Sequence, residues 1–208
     1  LGGDQSMHDA KKTATCFLLN AGLEQYVEDE RSTIIEAAVA QNIHTILSSS
    51  MGRLFDAVAS ILGIGDENEY EGECAINLEK MAILAVRNHV PPVKLHFELN
   101  EKDDIININS QIILEQLCKL RSTANKGGLA LGFHYAVAEV ILNMCEITRE
   151  REGIHKVVLG GGVFQNTLLI ERVLSILRAK EFQVYYNEKV PPNDGSISLG
   201  QVYIGLMR

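Results

Sequence analysis

The chain has 208 residues, with 46% apolar side chains and a formal net charge of −8. The acidic balance and the lack of a basic block argue against a nucleic-acid or anionic-membrane surface. The length allows one large domain or two small lobes. No apolar run reaches the roughly 18 residues of a membrane-spanning helix, and no signal-peptide pattern opens the chain.

The cysteines and histidines form no motif of their own. Four cysteines are scattered without a Cys-x-x-Cys pair, which predicts reduced, buried thiols rather than disulfides. The six histidines show neither His-x-x-x-His nor His-Glu-x-x-His spacing, so the chain carries no self-contained metal motif.

Residues 1–90 predict a mainly helical region. Asp9 is a candidate N-cap for a helix that runs to about Asn20. A second helix is indicated by an apolar stripe, and His44 on that helix is interpreted as a structural histidine rather than a ligand. The stripe consists of Ile35, Val39, Ile43 and Leu47. Further helices are predicted after the serines and glycine at 48–52 and over residues 74–86.

Asp56 lies near the first turn of the helix predicted after Gly52. A carboxylate there could simply stabilise the positive end of the helix dipole. Alternatively, it could accept hydrogen bonds from a ligand hydroxyl such as that of a ribose. The residues alone favour the structural explanation.

Residues 91–208 predict an α/β region. Alternating apolar and polar residues over 93–99, a turn at 100–104 and a short apolar run over 105–108 indicate a β-hairpin. Ser110 is a candidate cap for a helix that runs to Leu120, and residues 125–128 are expected to end that element. Residues 129–147 then form the longest predicted helix.

The most informative stretch, residues 157–166, joins a β-branched run to three glycines and then to a predicted helix over 167–180. A second glycine-bearing loop, residues 191–196, lies between a predicted strand at 182–186 and a predicted helix at 197–207. Two such turns lie at the same edge of a parallel strand pair, the usual place for ligands in open α/β sheets. Glycines there let a ligand approach the backbone closely.

Neither familiar glycine fingerprint is present. The Gly-Lys-Ser/Thr ending of a P-loop is missing, and after Gly162 the chain departs from Gly-x-Gly-x-x-Gly. On spacing alone, a close-packed structural turn explains the glycines as well as a ligand site does. Asn166 fits either a helix N-cap or a ligand contact.

Several motifs, in this order along the chain, resemble one family. They are Ser49-Ser50-Met51-Gly52-Arg53-Leu54-Phe55-Asp56-Ala57-Val58, Tyr70-Glu71-Gly72-Glu73, Phe133-His134, and the stretches 159–166 and 190–201. Together they resemble the HypF carbamoyltransferases, which act in the maturation of nickel–iron hydrogenases. More distantly, they are similar to the threonylcarbamoyl-transferring enzymes of tRNA modification.

The resemblance implies an α-rich α/β fold: a fragment of an actin/hexokinase-like ATPase lobe with a large helical insertion and a small mixed sheet. It implies that carbamoyl phosphate and ATP give carbamoyl adenylate. The carbamoyl group would then pass to the C-terminal cysteine of a HypE-like partner, on the route to the cyanide ligand of the hydrogenase. Upstream domains, including the first ATPase lobe, lie outside the match, so we expect the chain to be inactive alone.

The resemblance also implies site residues, although no catalytic residue. The nucleotide contacts would be Gly161 and Gly162 through their backbone, Asn166, and Asp56 for the ribose hydroxyls. Asp194 would be one ligand of a divalent metal whose histidine ligands lie upstream, so the metal site in this chain would be incomplete. Without a metal, Asp194 is expected to cap the final helix. The family often has serine at the position of Gly160.

Two other interpretations stay open. The chain could be the lobe of a threonylcarbamoyl transferase, although residues 164–166 and 191–194 fit that family less well. It could also be a non-catalytic helical interaction module whose glycine turns are only structural. Nucleotide binding separates both enzymes from the module.

Overall fold

A computed structural model describes residues 7–46, 48–102 and 105–207. The helices in these ranges are α1 (Ala10–Asn20), α2 (Ser32–Ala40), α3 (Met51–Ile61), α4 (Glu73–Arg87), α5 (Gln111–Leu120), α6 (Lys126–Glu152), α7 (Thr167–Ala179) and α8 (Ile197–Leu206). The strands are β1 (Glu98–Lys102), β2 (Ile105–Asn109), β3 (Lys156–Leu159) and β4 (Gln183–Tyr186). The α-rich α/β class expected from the sequence is confirmed.

The chain divides into two compact units, Leu1–Ala136 (unit 1) and Val137–Arg208 (unit 2). The boundary falls inside α6. The sequence suggested a different division, into a helical part before residue 90 and an α/β part after it. All strands of the described residues do lie beyond residue 90.

Helix α3 forms the centre of unit 1, because side chains on every side of it are buried. They are Leu54, Phe55, Asp56, Ala57, Val58, Ala59 and Ile61. Helices α1 and α4 pack against it. The Phe55 ring meets Phe133 of α6 edge-on, with centroids 4.9 Å apart, and it also contacts the buried His134 ring at 5.3 Å. Burial lowers the pKa of His134, so the fold favours its neutral form.

Arg31 ties the N-terminal ends of α1 and α2 together. Its guanidinium lies 2.6 Å from Asp9 and 2.8 Å from the buried Asp29. Hydrogen bonds from Arg31 hold the pKa of Asp29 below its usual value. Asp9 also caps α1, as expected, by accepting a hydrogen bond from the Lys12 N–H at 2.7 Å.

The sequence placed His44 on the second helix, and this is wrong. Helix α2 ends at Ala40, and both Asn42 and His44 have positive φ angles, which interrupt helical geometry. Ile43 is therefore 49% exposed rather than part of a buried stripe. Leu47, the last residue of that predicted stripe, lies outside the described residues.

The predicted hairpin is confirmed, but its strands have different boundaries. β1 and β2 pair antiparallel from Glu98↔Asn109 to Lys102↔Ile105, so the first strand starts later than position 93. The residues between them lie outside the described ranges. Ser110 makes no side-chain cap on α5. Instead, the Asn109 carboxamide oxygen accepts a hydrogen bond from the Gln111 N–H at 2.9 Å.

Residues 125–128 begin α6 instead of ending the preceding element. The Asn125 side-chain oxygen accepts a hydrogen bond from the Gly128 N–H at 3.1 Å, as an N-cap does. The glycines of α6 have a packing role. A Cβ on Gly132 would stand 2.0 Å from the Val93 carbonyl oxygen, so the extended segment before β1 crosses α6 with no room for a side chain.

Helix α6 is also long and apolar enough to cross a membrane by length and composition alone, which the search for apolar runs did not indicate. Of its most apolar window, 61% is buried inside the structure. That burial is typical of a core helix, and length with composition is weak ground for a membrane span.

Unit 2 has the predicted β-α-β-α order. β3 and β4 pair parallel, from Lys156↔Gln183 to Leu159↔Tyr186, and α7 connects them. The buried face of α7 consists of Leu169, Val173 and Leu177. The described strands form two separate two-stranded sheets, one antiparallel and one parallel, rather than one mixed sheet.

None of the four cysteines forms a disulfide, as predicted. Cys74 and Cys118 are buried, whereas Cys16 and Cys145 are half-buried. Burial raises the pKa of the Cys74 and Cys118 thiols to about 11.

We predict that Gly132→Ala destabilises unit 1 by about 1–3 kcal/mol or more, because the new methyl group must displace the Val93 backbone. Gly52→Ala is the matched control: its Cβ would meet only the Ser50 hydroxyl, at 3.7 Å, so stability should change little. Denaturant unfolding followed by circular dichroism measures both. Equal stability of the two variants would contradict the close crossing.

Candidate functional site

The two glycine-bearing loops of unit 2 lie side by side at the carboxyl ends of β3 and β4. The Gly161 N–H donates a hydrogen bond of 2.8 Å to the Pro192 carbonyl oxygen, and a Cβ on Gly162 would lie 3.8 Å from the Asn193 Cβ. The prediction that both loops share one edge of a parallel pair is therefore confirmed. This edge is where open α/β sheets commonly bind ligands.

The glycines leave the first loop bare. Gly161 has φ +102°, a conformation that other residues adopt only with strain. No heavy atom lies within 4 Å of the place where a Cβ of Gly160 or Gly161 would stand. The backbone here is both fixed by the Pro192 bond and open to a ligand. Because the Gly161 N–H is already used, a ligand would meet other backbone atoms of the loop.

Asn166 is the N-cap of α7. Its side-chain oxygen accepts a hydrogen bond of 2.8 Å from the Leu169 N–H, which confirms the first of its two sequence interpretations. Its contact with a nucleotide stays a prediction.

Asp194 is exposed and lies in a single 3₁₀ turn, Asp194–Ser196. The expectation that it caps the final helix is wrong. Helix α8 starts after Ser196, which makes no side-chain cap on it. The neighbouring Asn193 caps the 3₁₀ turn instead: its side-chain oxygen accepts from the Gly195 N–H at 3.1 Å. The Ser196 hydroxyl also donates to the Asn193 carbonyl oxygen, at 3.2 Å. Asp194 therefore points its carboxylate into solvent without a structural task in the described region.

The described residues do not hold a metal by themselves. Within 7–46, 48–102 and 105–207, no group of three or more His, Cys, Asp or Glu side chains is arranged to bind a metal ion. Asp194 alone supplies one carboxylate, and a divalent cation needs several oxygen or nitrogen ligands. The role of Asp194 as a ligand stays a prediction.

Asp56 belongs to unit 1 and is buried, with 2% of its surface exposed. Ser50 caps α3, which puts Asp56 in the second turn. The interpretation that it stabilises the helix dipole is therefore wrong, because that effect is confined to the first turn. Arg53 is its ion-pair partner, with 3.4 Å between the guanidinium and Oδ2.

The second carboxylate oxygen of Asp56 is poorly satisfied. Oδ1 is buried and accepts no hydrogen bond of normal geometry from the described residues, although the Asn68 amide and the Ala75 N–H lie close enough to lower the pKa. Burial outweighs these groups and Arg53, so the pKa of Asp56 is raised. A buried, under-satisfied acceptor is unusual and calls for an explanation. Its contact with ribose hydroxyls stays a prediction, and a ligand would reach Oδ1 only if neighbouring side chains moved apart.

Two features near Asp56 were missed in the sequence. Asn68 is a buried hub, because its amide donates to the Met7 carbonyl oxygen at 2.8 Å and its oxygen accepts from the Cys74 N–H at 2.7 Å. In the sequence it is one polar residue of an acidic loop.

The second feature is a cavity of about 330 Å³ beside the start of α3. Its lining includes Lys12, Phe17, Val39 and Arg53, which come from separate segments and form no sequence motif.

The fold and the loop pair define an α/β protein with an open glycine backbone at the carboxyl ends of parallel strands. A family model described as the second subdomain of the Kae1-like domain of carbamoyltransferases matches residues 1–201. The chain therefore belongs to this carbamoyltransferase family.

Relatives agree with that placement. The carbamoyltransferase HypF of Synechocystis sp. is 32% identical over 157 residues, which are 75% of this chain and 19% of that protein. The tRNA N6-adenosine threonylcarbamoyltransferase of Kosmotoga olearia is 31% identical over 137 residues, covering 65% of this chain and 38% of that protein.

Solved structures show the same fold. Full-length HypF in its phosphate- and nucleotide-bound form matches 98% of this chain with a TM-score of 0.86 and 33% identity, over 27% of its own length. HypF of T. kodakarensis matches 98% of this chain with a TM-score of 0.79 and 24% identity. The chain thus spans about a quarter of these HypF structures.

We predict that Asp56→Asn raises the melting temperature at pH 7. The folded state holds the Asp56 proton more tightly than the unfolded chain, whose pKa is about 3.9. The contribution of this group to stability is therefore greatest below that pH and falls as pH rises through the higher folded-state pKa. Asparagine stays neutral at every pH, so the gain in melting temperature of Asp56→Asn over the original chain should shrink as the pH is lowered.

Asp66→Asn, at a half-exposed carboxylate of the same unit, is the control and should bring no gain. Thermal unfolding of both variants between pH 4 and pH 8 makes the comparison. A lower melting temperature for Asp56→Asn at pH 7 would show that the Arg53 ion pair outweighs the cost of burial.

We also predict that Asp194→Ala leaves the melting temperature nearly unchanged, because its carboxylate caps nothing. Asn193→Ala removes the side-chain acceptor of the 3₁₀ turn and should cost about 0.5–1.5 kcal/mol. Thermal unfolding of the two variants tests the assignment. A loss in Asp194→Ala as large as in Asn193→Ala would assign a capping role to Asp194.

Proposed function

We propose that the chain contributes the nucleotide-binding part of a carbamoyltransferase. In the proposed reaction, carbamoyl phosphate and ATP supply carbamoyl adenylate, and a HypE-like partner receives the carbamoyl group on its C-terminal cysteine for hydrogenase maturation in the cytoplasm. Family membership and the nucleotide-bound relative support this proposal. The chain spans only part of its relatives' length, so further domains, on this polypeptide or another, would be needed for the reaction.

The observation that carries the proposal is the bare backbone at residues 160–162. Its glycines leave space where side chains would stand, and the bond from Gly161 to Pro192 fixes the loop. A flat adenine or a ribose needs such a surface, since it can lie close to the main chain only where no Cβ intervenes.

The transfer step needs positioning more than acid–base chemistry. The thiolate of the partner attacks the carbamoyl carbon, a C–S bond forms, the bond from that carbon to the adenylate oxygen breaks, and AMP leaves. In the proposal, the glycine loop and Asn166 hold the nucleotide so that the acyl group is presented in one orientation. Asp56 is proposed to accept the ribose hydroxyls. No step is assigned to a metal, because the described residues do not form a metal site.

The similarity to the Kosmotoga olearia protein favours a second candidate, transfer of a threonylcarbamoyl group during tRNA modification. Both candidates need a nucleotide at the glycine loop and differ in the acyl group and its acceptor. Supplying carbamoyl phosphate and ATP with a C-terminal cysteine peptide, or threonylcarbamoyl adenylate with tRNA, separates them. We propose the first because residues 164–166 and 191–195 follow the HypF pattern.

An ATP titration followed by calorimetry tests the proposal, on the 208-residue chain alone and with the first subdomain of the Kae1-like domain supplied. Gly162→Val should weaken binding at least about tenfold, because its side chain enters the ligand space while the nearest atom to its Cβ lies at 3.8 Å. Ser175→Val, which adds the same side chain at an exposed position of α7 outside the loop, is the control and should bind like the original chain. Unchanged affinity of Gly162→Val, or no binding in either setting, would leave the glycine loop as a structural turn.

A further inference from the structure

The cavity beside the start of α3 carries an excess of positive charge. It has a volume of about 330 Å³ and lies within unit 1, between α1, the end of α2 with the segment after it, and α3. Lys12 and Arg53 both line it, and none of the described residues around it is acidic. In a chain with a formal net charge of −8, a concave site with two cations and no carboxylate favours an anionic ligand.

Roughly one of these two positive charges is left for a ligand. The Arg53 guanidinium lies 3.4 Å from Oδ2 of the buried Asp56, and this carboxylate offsets one charge. The Lys12 ammonium forms no ion pair within the described ranges. The cavity therefore matches a carboxylate, with its single charge, better than a phosphate monoester, which carries more than one charge at pH 7.

Uncharged polar groups and apolar surface complete the lining. Three lining side chains make no hydrogen bond with the part of the chain that the structure describes: Asn20, Asn42 and Thr45. Phe17 and Val39 add apolar surface. The volume lies at the lower end of the range of about 300–1,000 Å³ for small-ligand sites. These properties suit the end of a peptide, which has a carboxylate, a backbone amide and a side chain.

We propose that this cavity binds the C-terminal residue of the acceptor polypeptide, with Lys12 and Arg53 on its α-carboxylate. The identity of the acceptor rests on the proposed function, in which the receiving cysteine is the last residue of its chain. Arg53 contacts Asp56, so the cavity adjoins one of the proposed nucleotide contacts. The thiol and the carboxylate of a terminal cysteine belong to one residue, so holding the carboxylate limits where the attacking sulfur can stand.

Such a site would select a terminal cysteine over an internal one. An internal cysteine continues into a peptide bond, which is uncharged and would leave the two cations of the cavity without an anionic partner. Capture of a C-terminal carboxylate is a recurrent mode of peptide recognition. Lys12 and Arg53 would thus determine the specificity for the acceptor.

Fluorescence anisotropy tests the proposal on the 208-residue chain under reducing conditions, with the labelled peptide Gly-Ser-Gly-Ala-Cys as the probe. The free acid should bind at least about tenfold more tightly than the same peptide with a C-terminal amide, because only the acid forms charge-assisted bonds. Lys12→Gln should remove most of that difference and hardly change the affinity of the amide. Lys94→Gln, at an exposed lysine outside the cavity, is the matched control and should keep the difference.

Alkylation of Cys16 reports whether the peptide occupies the cavity, because this cysteine lines it. The peptide Gly-Ser-Gly-Ala-Ser has the carboxylate and no thiol, and at saturation it should slow the reaction of Cys16 with iodoacetamide at least about fivefold by blocking access. Cys145, which is also half-buried, is the internal control and should react at an unchanged rate. Mass spectrometry of the digested protein measures both.

Several results would overturn the proposal: no peptide binding, equal affinity of acid and amide, equal effects of Lys12→Gln and Lys94→Gln, or unchanged alkylation of Cys16. Binding of free N-acetylcysteine as tight as that of the peptide would assign the cavity to small carboxylates, and tighter binding of inorganic phosphate would make it a phosphate site. Either result would also overturn it. A chain that discriminates the peptides but binds no ATP would keep this site and lose the proposed nucleotide function, and the reverse result would do the opposite.

Discussion

The enclosure of α3 is the constraint on which unit 1 depends. A helix whose side chains are buried all round leaves no solvent-facing position for its one carboxylate. The Asp56 side chain is therefore held inside, where Arg53 and Asn68 offset only part of the cost of burial. The edge-on packing of Phe55 on Phe133 fixes the rotation of α3, and the close crossing at Gly132 fixes α6. The polar site and the apolar core of this unit are thus set by the same contacts.

Unit 2 follows a different principle. Its core is small, one face of α7 against a two-stranded sheet. A backbone hydrogen bond from Gly161 to Pro192, 31 positions further along the chain, joins its two glycine loops. Side-chain hydrogen bonds of Asn193 and Ser196 hold the second loop, so the first loop keeps its place beside it although no side chain packs on Gly160 or Gly161.

The sequence correctly predicted the features of this structure that are determined by residues close together in the chain. The caps at Asp9 and Asn166, the hairpin, the parallel pair and the shared edge of the two glycine loops each follow from residues a few positions apart. The errors arose where tertiary contacts decide. The burial of Asp56 depends on the helices that pack around α3. The hydrogen bonds of Asn68 depend on segments around Met7 and Cys74, and the break after Ala40 depends on residues that adopt positive φ without being glycine. Asn193 was missed as a cap because the adjacent Asp194 fits the same rule equally well.

The burial of the thiols has a chemical consequence for an enzyme of the proposed kind. A catalyst that delivers an activated carbamoyl group to a cysteine of another protein must not modify its own cysteines. With a pKa of about 11, Cys74 and Cys118 would be thiolates in only about one molecule in ten thousand at pH 7, and the thiolate is the nucleophile. In an enzyme of that kind, burial of Cys74 and Cys118 therefore protects these two thiols from acylation.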